Sequence, residues 1–87
     1  MDTMTLLDTV RKNLKNIVKI KVTHNKPFNR TITWRLVHEK IYMYDCGDNY
    51  ATVGMLHDTY ELFKEIRRNT TDNIASITID YADSCES

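Results

Sequence analysis

The sequence has few of the residues and motifs that usually reveal a biochemical function. Its 87 residues include one proline, two glycines, two cysteines and one tryptophan. No GxGxxG, Walker-type or paired CxxC pattern occurs, and these are the common signatures of nucleotide, phosphate and zinc sites. The sequence therefore predicts no cofactor, no bound metal and no catalytic residues.

The chain also lacks a long apolar run. No stretch approaches the about 18 apolar residues that a membrane span requires, and the N-terminus lacks the basic-then-apolar order of a signal peptide. Cys46 in a predicted turn and Cys85 in a polar tail form no pattern from which a disulfide can be assigned. We therefore expect a cytoplasmic protein with reduced thiols and no membrane partner.

What is present fits one small globular unit. Hydrophobic residues make up 41% of the chain and charged residues 28%, which is typical of a compact domain of this length. The sequence predicts a single domain over residues 1 to 81 and a short, acidic, disordered tail over residues 82 to 87.

The clearest secondary-structure pattern lies in residues 31 to 37. Ile32, Trp34 and Leu36 alternate there with polar residues such as Thr33 and Arg35. This period of two predicts a strand with one buried and one solvent-facing side. Trp34 is expected to point into the core.

The periodicity elsewhere predicts six further elements. In chain order, with the strand above included, we predict a helix over residues 4 to 15, strands over 18 to 23, 31 to 37 and 41 to 44, a short return strand over 50 to 53, a helix over 55 to 68 and a strand over 74 to 81. The return strand decides whether three or four strands precede the second helix. The predicted fold is α+β: helix, three or four antiparallel strands, helix, strand, with both helices packed on one face of the sheet.

The predicted core combines the apolar faces of the strands with one stripe of the second helix. Val18 is expected to share a face with the core residues of the first strand. The core residues are Ile20, Val22, Ile32, Trp34, Leu36, Leu56, Tyr60, Phe63, Ile77 and Ile79.

Charge is unevenly distributed along the chain. Residues 1 to 40 contain nine basic and three acidic residues, whereas residues 41 to 87 contain three basic and nine acidic residues. The predicted partner-binding residues of the basic half form a stripe of Lys19, Lys21, Arg30 and Arg35. The simpler interpretation is a solvated face, because antiparallel sheets commonly leave one face in water.

Tyr42 and Tyr44 are a second set of candidate partner-binding residues. If Ile41 and Met43 fill the core, both tyrosines lie on the wet face near the basic stripe; with the opposite parity, the tyrosines are core. Exposed tyrosines among cations suit a protein interface or stacking with single-stranded nucleic acid.

Reactive side chains form only weak patterns. Cys46 could act as a nucleophile with His38 or His57 as its base, and His57 and Glu61 could share a metal. No sequence signature surrounds Cys46, and no two histidines have the spacing of metal ligands. Ordinary surface residues are the simpler interpretation.

Together these patterns favour a small non-enzymatic binding protein that occupies a macromolecular partner, most readily a protein. One form of this hypothesis is a virus- or mobile-element-type inhibitor of a host protein. The alternative is a nucleic-acid-binding module that uses the basic sheet face, and a small enzyme is third. A weak homodimer through residues 74 to 81 is also predicted, because this strand has little charge to blunt a free edge.

Overall fold

The computed structural model describes residues 2–25, 29–71 and 74–82. Its elements are α1 (Thr3–Lys12), β1 (Ile17–His24), β2 (Arg30–Val37), β3 (Lys40–Gly47), β4 (Ala51–Leu56), α2 (Thr59–Arg68) and β5 (Ile74–Tyr81). The strands form one antiparallel five-stranded sheet in the order β4-β3-β2-β1-β5. The α+β class is confirmed, with four strands before α2 and five in the described part of the chain.

Both helices contribute to one hydrophobic core with one side of the sheet. Ile20, Val22, Ile32 and Trp34 are fully buried, as predicted. The predicted residues that are instead partly buried against this core are Leu36, Leu56, Phe63, Ile77 and Ile79. The buried hydrophobic residues outside the predicted core are Leu6, Leu7, Val10, Ile17, Ile41, Leu62 and Ile66.

The predicted start of the second helix is wrong. Residues 55 and 56 belong to β4, and α2 begins at Thr59. Asp58 is the N-cap, since its carboxylate accepts the Glu61 backbone N–H at 3.0 Å. The Glu61 side chain in turn accepts the His57 N–H at 2.7 Å, so two otherwise unpaired donors are satisfied.

The assignment of Tyr60 to the core is also wrong. Leu62 and Ile66, four residues apart on one side of α2, are its buried residues. Tyr60 falls on another side of this helix and is 74% exposed.

Entry into β1 differs from the predicted alternation. Ile17 is buried, whereas Val18 is 38% exposed. The pairing of β1 with β5 shifts register between Ile17 and Lys19. This irregularity breaks the strict alternation, so Val18 does not share the core face with Ile20.

A tight turn joins β2 to β3. Val37 pairs with Lys40, leaving His38 and Glu39 as the two connecting residues. Both have positive φ, 51° and 67°, as in the type I′ turns whose twist matches that of antiparallel strands. Neither residue is a glycine, so this turn stores backbone strain.

Some predictions fall on parts of the chain outside the described ranges. These include residues 26 to 28 between the first two predicted strands, most of the predicted tail, and Cys85. Within the described ranges, no helix has the length and apolarity needed to cross a membrane.

Candidate protein interface on the open face of the sheet

The sheet has a face that points away from the helices, which we call the open face. Its members follow from the strand register, because residues paired across strands share a face. They are Lys19, Lys21, Thr23, Thr31, Thr33, Arg35, Tyr42, Tyr44, Cys46, Ala51, Val53, Met55, Ser76, Thr78 and Asp80.

The basic residues of the open face lie on β1 and β2, two neighbouring inner strands of the sheet. Lys19 pairs with Arg35, and Lys21 pairs with Thr33. Lys19 also lies 3.3 Å from the Asp80 carboxylate on β5, in a half-exposed ion pair. Among the described residues, Lys21 and Arg35 form no ion pair, so their charges remain available to a partner.

Aromatic and apolar side chains continue the open face toward β4. Tyr42 lies between Arg35 and Met55 in the strand register. Met55 is 60% exposed. Ile41 is buried and Met43 packs against the core, so Tyr42 and Tyr44 lie on the open face.

The next row of paired residues on the open face also places a tyrosine beside an exposed aliphatic side chain. Tyr44 lies between Thr33 and Val53. Val53 is 66% exposed and Tyr44 is 37% exposed. Cations, hydroxyls, tyrosines and aliphatic side chains therefore follow one another across a single surface that neither α1 nor α2 covers.

Arg30 does not belong to this surface. It is five residues from Arg35, and an odd separation along a regular strand places two side chains on opposite faces. Its Nε donates to Asp45 Oδ1 at 3.0 Å and its Nη2 to Asp45 Oδ2 at 2.6 Å, a bidentate pair. The alternation of side chains along β2 is enough to predict that Arg30 and Arg35 lie on opposite faces.

Asp45 is the centre of a small polar cluster on the helix side of the sheet. The Tyr50 hydroxyl donates to Asp45 Oδ1 at 2.9 Å. The hydrogen bonds from Arg30 hold the pKa of Asp45 below its ordinary value and raise the pKa of Arg30. Arg30 is thus committed to a structural ion pair.

The reactive candidates are spread over several elements. Cys46 is exposed on β3, and His38 lies in the β2–β3 turn. The carboxylates of Asp58 and Glu61 accept backbone N–H groups at the start of α2. Over residues 2–25, 29–71 and 74–82, no three His, Cys, Asp or Glu side chains cluster as metal ligands.

Val53 and Met55 are surface residues that the sequence pattern does not predict. It ends the return strand at residue 53 and places Met55 in a helix. The signal was present at Asp58, which can cap a helix that begins after it. A helix that starts there leaves residues 51 to 56 free to form a longer strand.

Comparison of the chain with protein-family models, curated proteins and solved structures found no match.

Proposed function

We propose that this chain is a non-enzymatic binding protein that engages a protein partner through the open face of its sheet. The observation that carries the proposal is the continuous row of Arg35, Tyr42 and Met55 on a surface that neither helix covers. Tyrosine and arginine are enriched among the residues that dominate protein interfaces. The virus- or mobile-element-type inhibitor is a narrower form of this proposal, in which binding blocks the partner's own activity.

Exposed apolar area supports a protein partner. Val53 and Met55 are each at least 60% exposed and lie next to Tyr44 and Tyr42. Contiguous apolar patches on a small protein commonly mark interaction sites. A partner surface with aliphatic groups opposite this patch and carboxylates opposite Arg35 and Lys21 would complement both parts.

Nucleic acid is the second candidate, favoured by the neighbouring cations Lys19, Lys21 and Arg35 and by the tyrosines beside them. Bases can stack on such tyrosines while phosphates contact the cations. Asp80 weakens this candidate, because its carboxylate lies on the same face and pairs with Lys19.

Charge reversal on two surfaces tests the proposal. One variant carries Lys19→Glu, Lys21→Glu and Arg35→Glu on the open face. The matched control carries Lys15→Glu, Lys64→Glu and Arg67→Glu, which changes the net charge equally at exposed positions off that face. Both are immobilised and exposed to nuclease-treated and untreated lysate from the protein's source, alongside wild type.

The proposal expects a defined protein that binds wild type and the control, survives nuclease treatment and is lost with the open-face variant. Retention by the open-face variant, or equal loss with both, would contradict it. Capture that disappears on nuclease treatment, together with affinity for purified RNA or DNA that falls steeply as salt rises, would instead establish the nucleic-acid function.

A further inference from the structure

β4 is an edge strand with no feature that prevents pairing. Among the described strands, only β3 pairs with it. The segment Ala51–Leu56 has no charged residue and no proline, and all of its residues except the last are exposed. Natural edge strands are usually blunted by lysine, proline, bulges or a covering element. β4 pairs with β3 without a register shift, so it is also not twisted away by a bulge.

The β3–β4 register shows which backbone groups of β4 are free. The Gly47 N–H donates to the Tyr50 C=O at 2.9 Å, which makes these two a hydrogen-bonded pair. Hydrogen-bonded and non-hydrogen-bonded pairs alternate along an antiparallel ladder. Following the register from this pair, Ala51, Val53 and Met55 direct their N–H and C=O groups away from β3.

We propose that β4 is a self-association edge, which pairs antiparallel with β4 of a second copy of this chain about a two-fold axis at Val53. In this register Val53 faces Val53 of the other copy, and Ala51 faces Met55. Every outward N–H on these residues then meets an outward C=O of the second copy. One symmetric arrangement therefore pairs the outward N–H and C=O groups of both copies.

The side chains are complementary in the same register. On the open face the small Ala51 lies opposite the long Met55. On the helix side Thr52 lies opposite Gly54, where an added Cβ would meet no atom within 4 Å. A groove of about 220 Å³, lined by Thr52, Gly54 and neighbouring residues of one copy, gives room to the Thr52 side chain of the other copy. Because β4 has no charged residue, no like charges meet across this contact.

The second edge of the sheet is less suited to this role. β5 pairs with β1 through two register shifts, one at each end, and such irregularities twist a strand and interrupt a regular edge. β5 also carries Asp80, whereas β4 carries no charge. The predicted homodimer through β5 remains the competing hypothesis, since β5 does lie at an edge.

The β4 pairing goes beyond the proposed function and does not depend on it. Two five-stranded sheets would become one continuous sheet, with all helices on one side. The two open faces would adjoin on the other side and present two equivalent partner-binding surfaces. Measurements on the isolated protein separate this inference from the binding of any partner.

A pair of single lysine substitutions tests which edge associates. Val53→Lys places a charge at the centre of the β4 edge, opposite its own copy. Ser76→Lys places one at an exposed position of β5 whose cross-strand neighbour is the uncharged Thr23. Sedimentation equilibrium over a wide concentration range measures mass, and far-UV circular dichroism checks that each variant folds.

We expect wild type and Ser76→Lys to approach twice the monomer mass at high concentration, and Val53→Lys to remain monomeric. A monomeric wild type at all concentrations overturns the inference. So does a Ser76→Lys variant that is monomeric while Val53→Lys still dimerises, which would assign the contact to β5.

Disulfide trapping provides a second, independent readout. Directly opposed residues in a hydrogen-bonded antiparallel pair have Cα atoms about 5.5 Å apart, within the range that a disulfide bridges. In a background of Cys46→Ser and Cys85→Ser, mild oxidation should crosslink Val53→Cys into a dimer and leave Ser76→Cys largely uncrosslinked. Equal crosslinking of the two variants would contradict the β4 register.

Discussion

Trp34 is the largest fully buried side chain in the described part of the chain. It lies on β2 between Ile20 of β1 and Met43 of β3. Among the described residues its indole N–H has no hydrogen-bond acceptor. Its contribution to stability therefore comes from packing and the removal of apolar surface from water.

We predict that Trp34→Ala lowers the free energy of unfolding by about 3 to 5 kcal/mol, because it leaves a large cavity. Tyr60→Ala is the matched control, since Tyr60 is an aromatic residue with 74% exposure and should change stability by less than about 0.5 kcal/mol. Urea unfolding of the three proteins measures both effects. Free quenching of native Trp34 fluorescence by iodide would show that this core is wrong.

Asp45 gives a prediction about pH. The hydrogen bonds from Arg30 lower its pKa in the folded protein. The ion pair thus stabilises the fold fully above the unfolded-state pKa of about 3.9, and this contribution is lost as pH falls through the lower folded-state pKa.

We expect Asp45→Asn to be less stable than wild type at neutral pH and the difference to shrink between about pH 5 and about pH 2. Urea unfolding across this range measures it. Asp8→Asn, which alters an exposed carboxylate on α1, controls for the general loss of a negative charge. A wild-type to Asp45→Asn difference that stays constant with pH would show that the ion pair is not the source of the stabilisation.

At the scale of secondary-structure elements, the β2–β3 hairpin contains backbone strain that a single substitution can remove. Glu39 has a φ of 67°, a conformation that costs a residue with a Cβ about 1 to 2 kcal/mol and glycine much less. The remaining contacts of β2 with β3 are regular over eight residue pairs. The strain is therefore confined to the connection.

Glu39→Gly is predicted to raise the free energy of unfolding by about 1 kcal/mol. Glu39→Ala removes the same carboxylate but keeps the Cβ, so it should give none of this gain. Thermal unfolding of wild type and both variants decides the matter. Equal effects of the two substitutions would attribute the change to the lost charge instead of the backbone.

At the scale of the whole molecule, we expect contacts with other molecules to form through the two sheet edges and the open face more than through the opposite charges of the two halves of the sequence. Lys19 from the basic half and Asp80 from the acidic half already lie 3.3 Å apart within one chain. Part of the opposite charge is thus neutralised internally. Association of the basic half of one molecule with the acidic half of another would therefore depend on the charges that are not paired within a single chain.

Salt dependence should separate the two kinds of self-association. Pairing through β4 brings together uncharged residues, so its dissociation constant should change less than about twofold between about 0.05 and about 0.5 M salt. Association between the basic and acidic halves would weaken strongly over the same range. Sedimentation equilibrium at the two salt concentrations distinguishes them, with Ser76→Lys as the control that retains β4.

The sequence by itself determined the local structure of several elements. Alternation predicted β2 around Trp34, and the predicted bounds of the last strand agree with Ile74–Tyr81. The helix, strands, helix, strand order also followed from periodicity. These features are local, because side-chain direction repeats every two residues in a strand and about every 3.6 in a helix whatever the rest of the chain does.

The tertiary structure alone decided which faces and edges are used. Periodicity showed that Tyr42 and Tyr44 share a face, but only the position of the helices made it the open face. Strand parity already separates Arg30 from Arg35, but only the tertiary structure brings Asp45, a residue on another strand, within hydrogen-bond distance of Arg30. The placement of β4 and β5 at the edges likewise depends on pairing between distant segments. Such choices follow from which surfaces bury the most apolar area together, a property of the assembled chain that no local pattern contains.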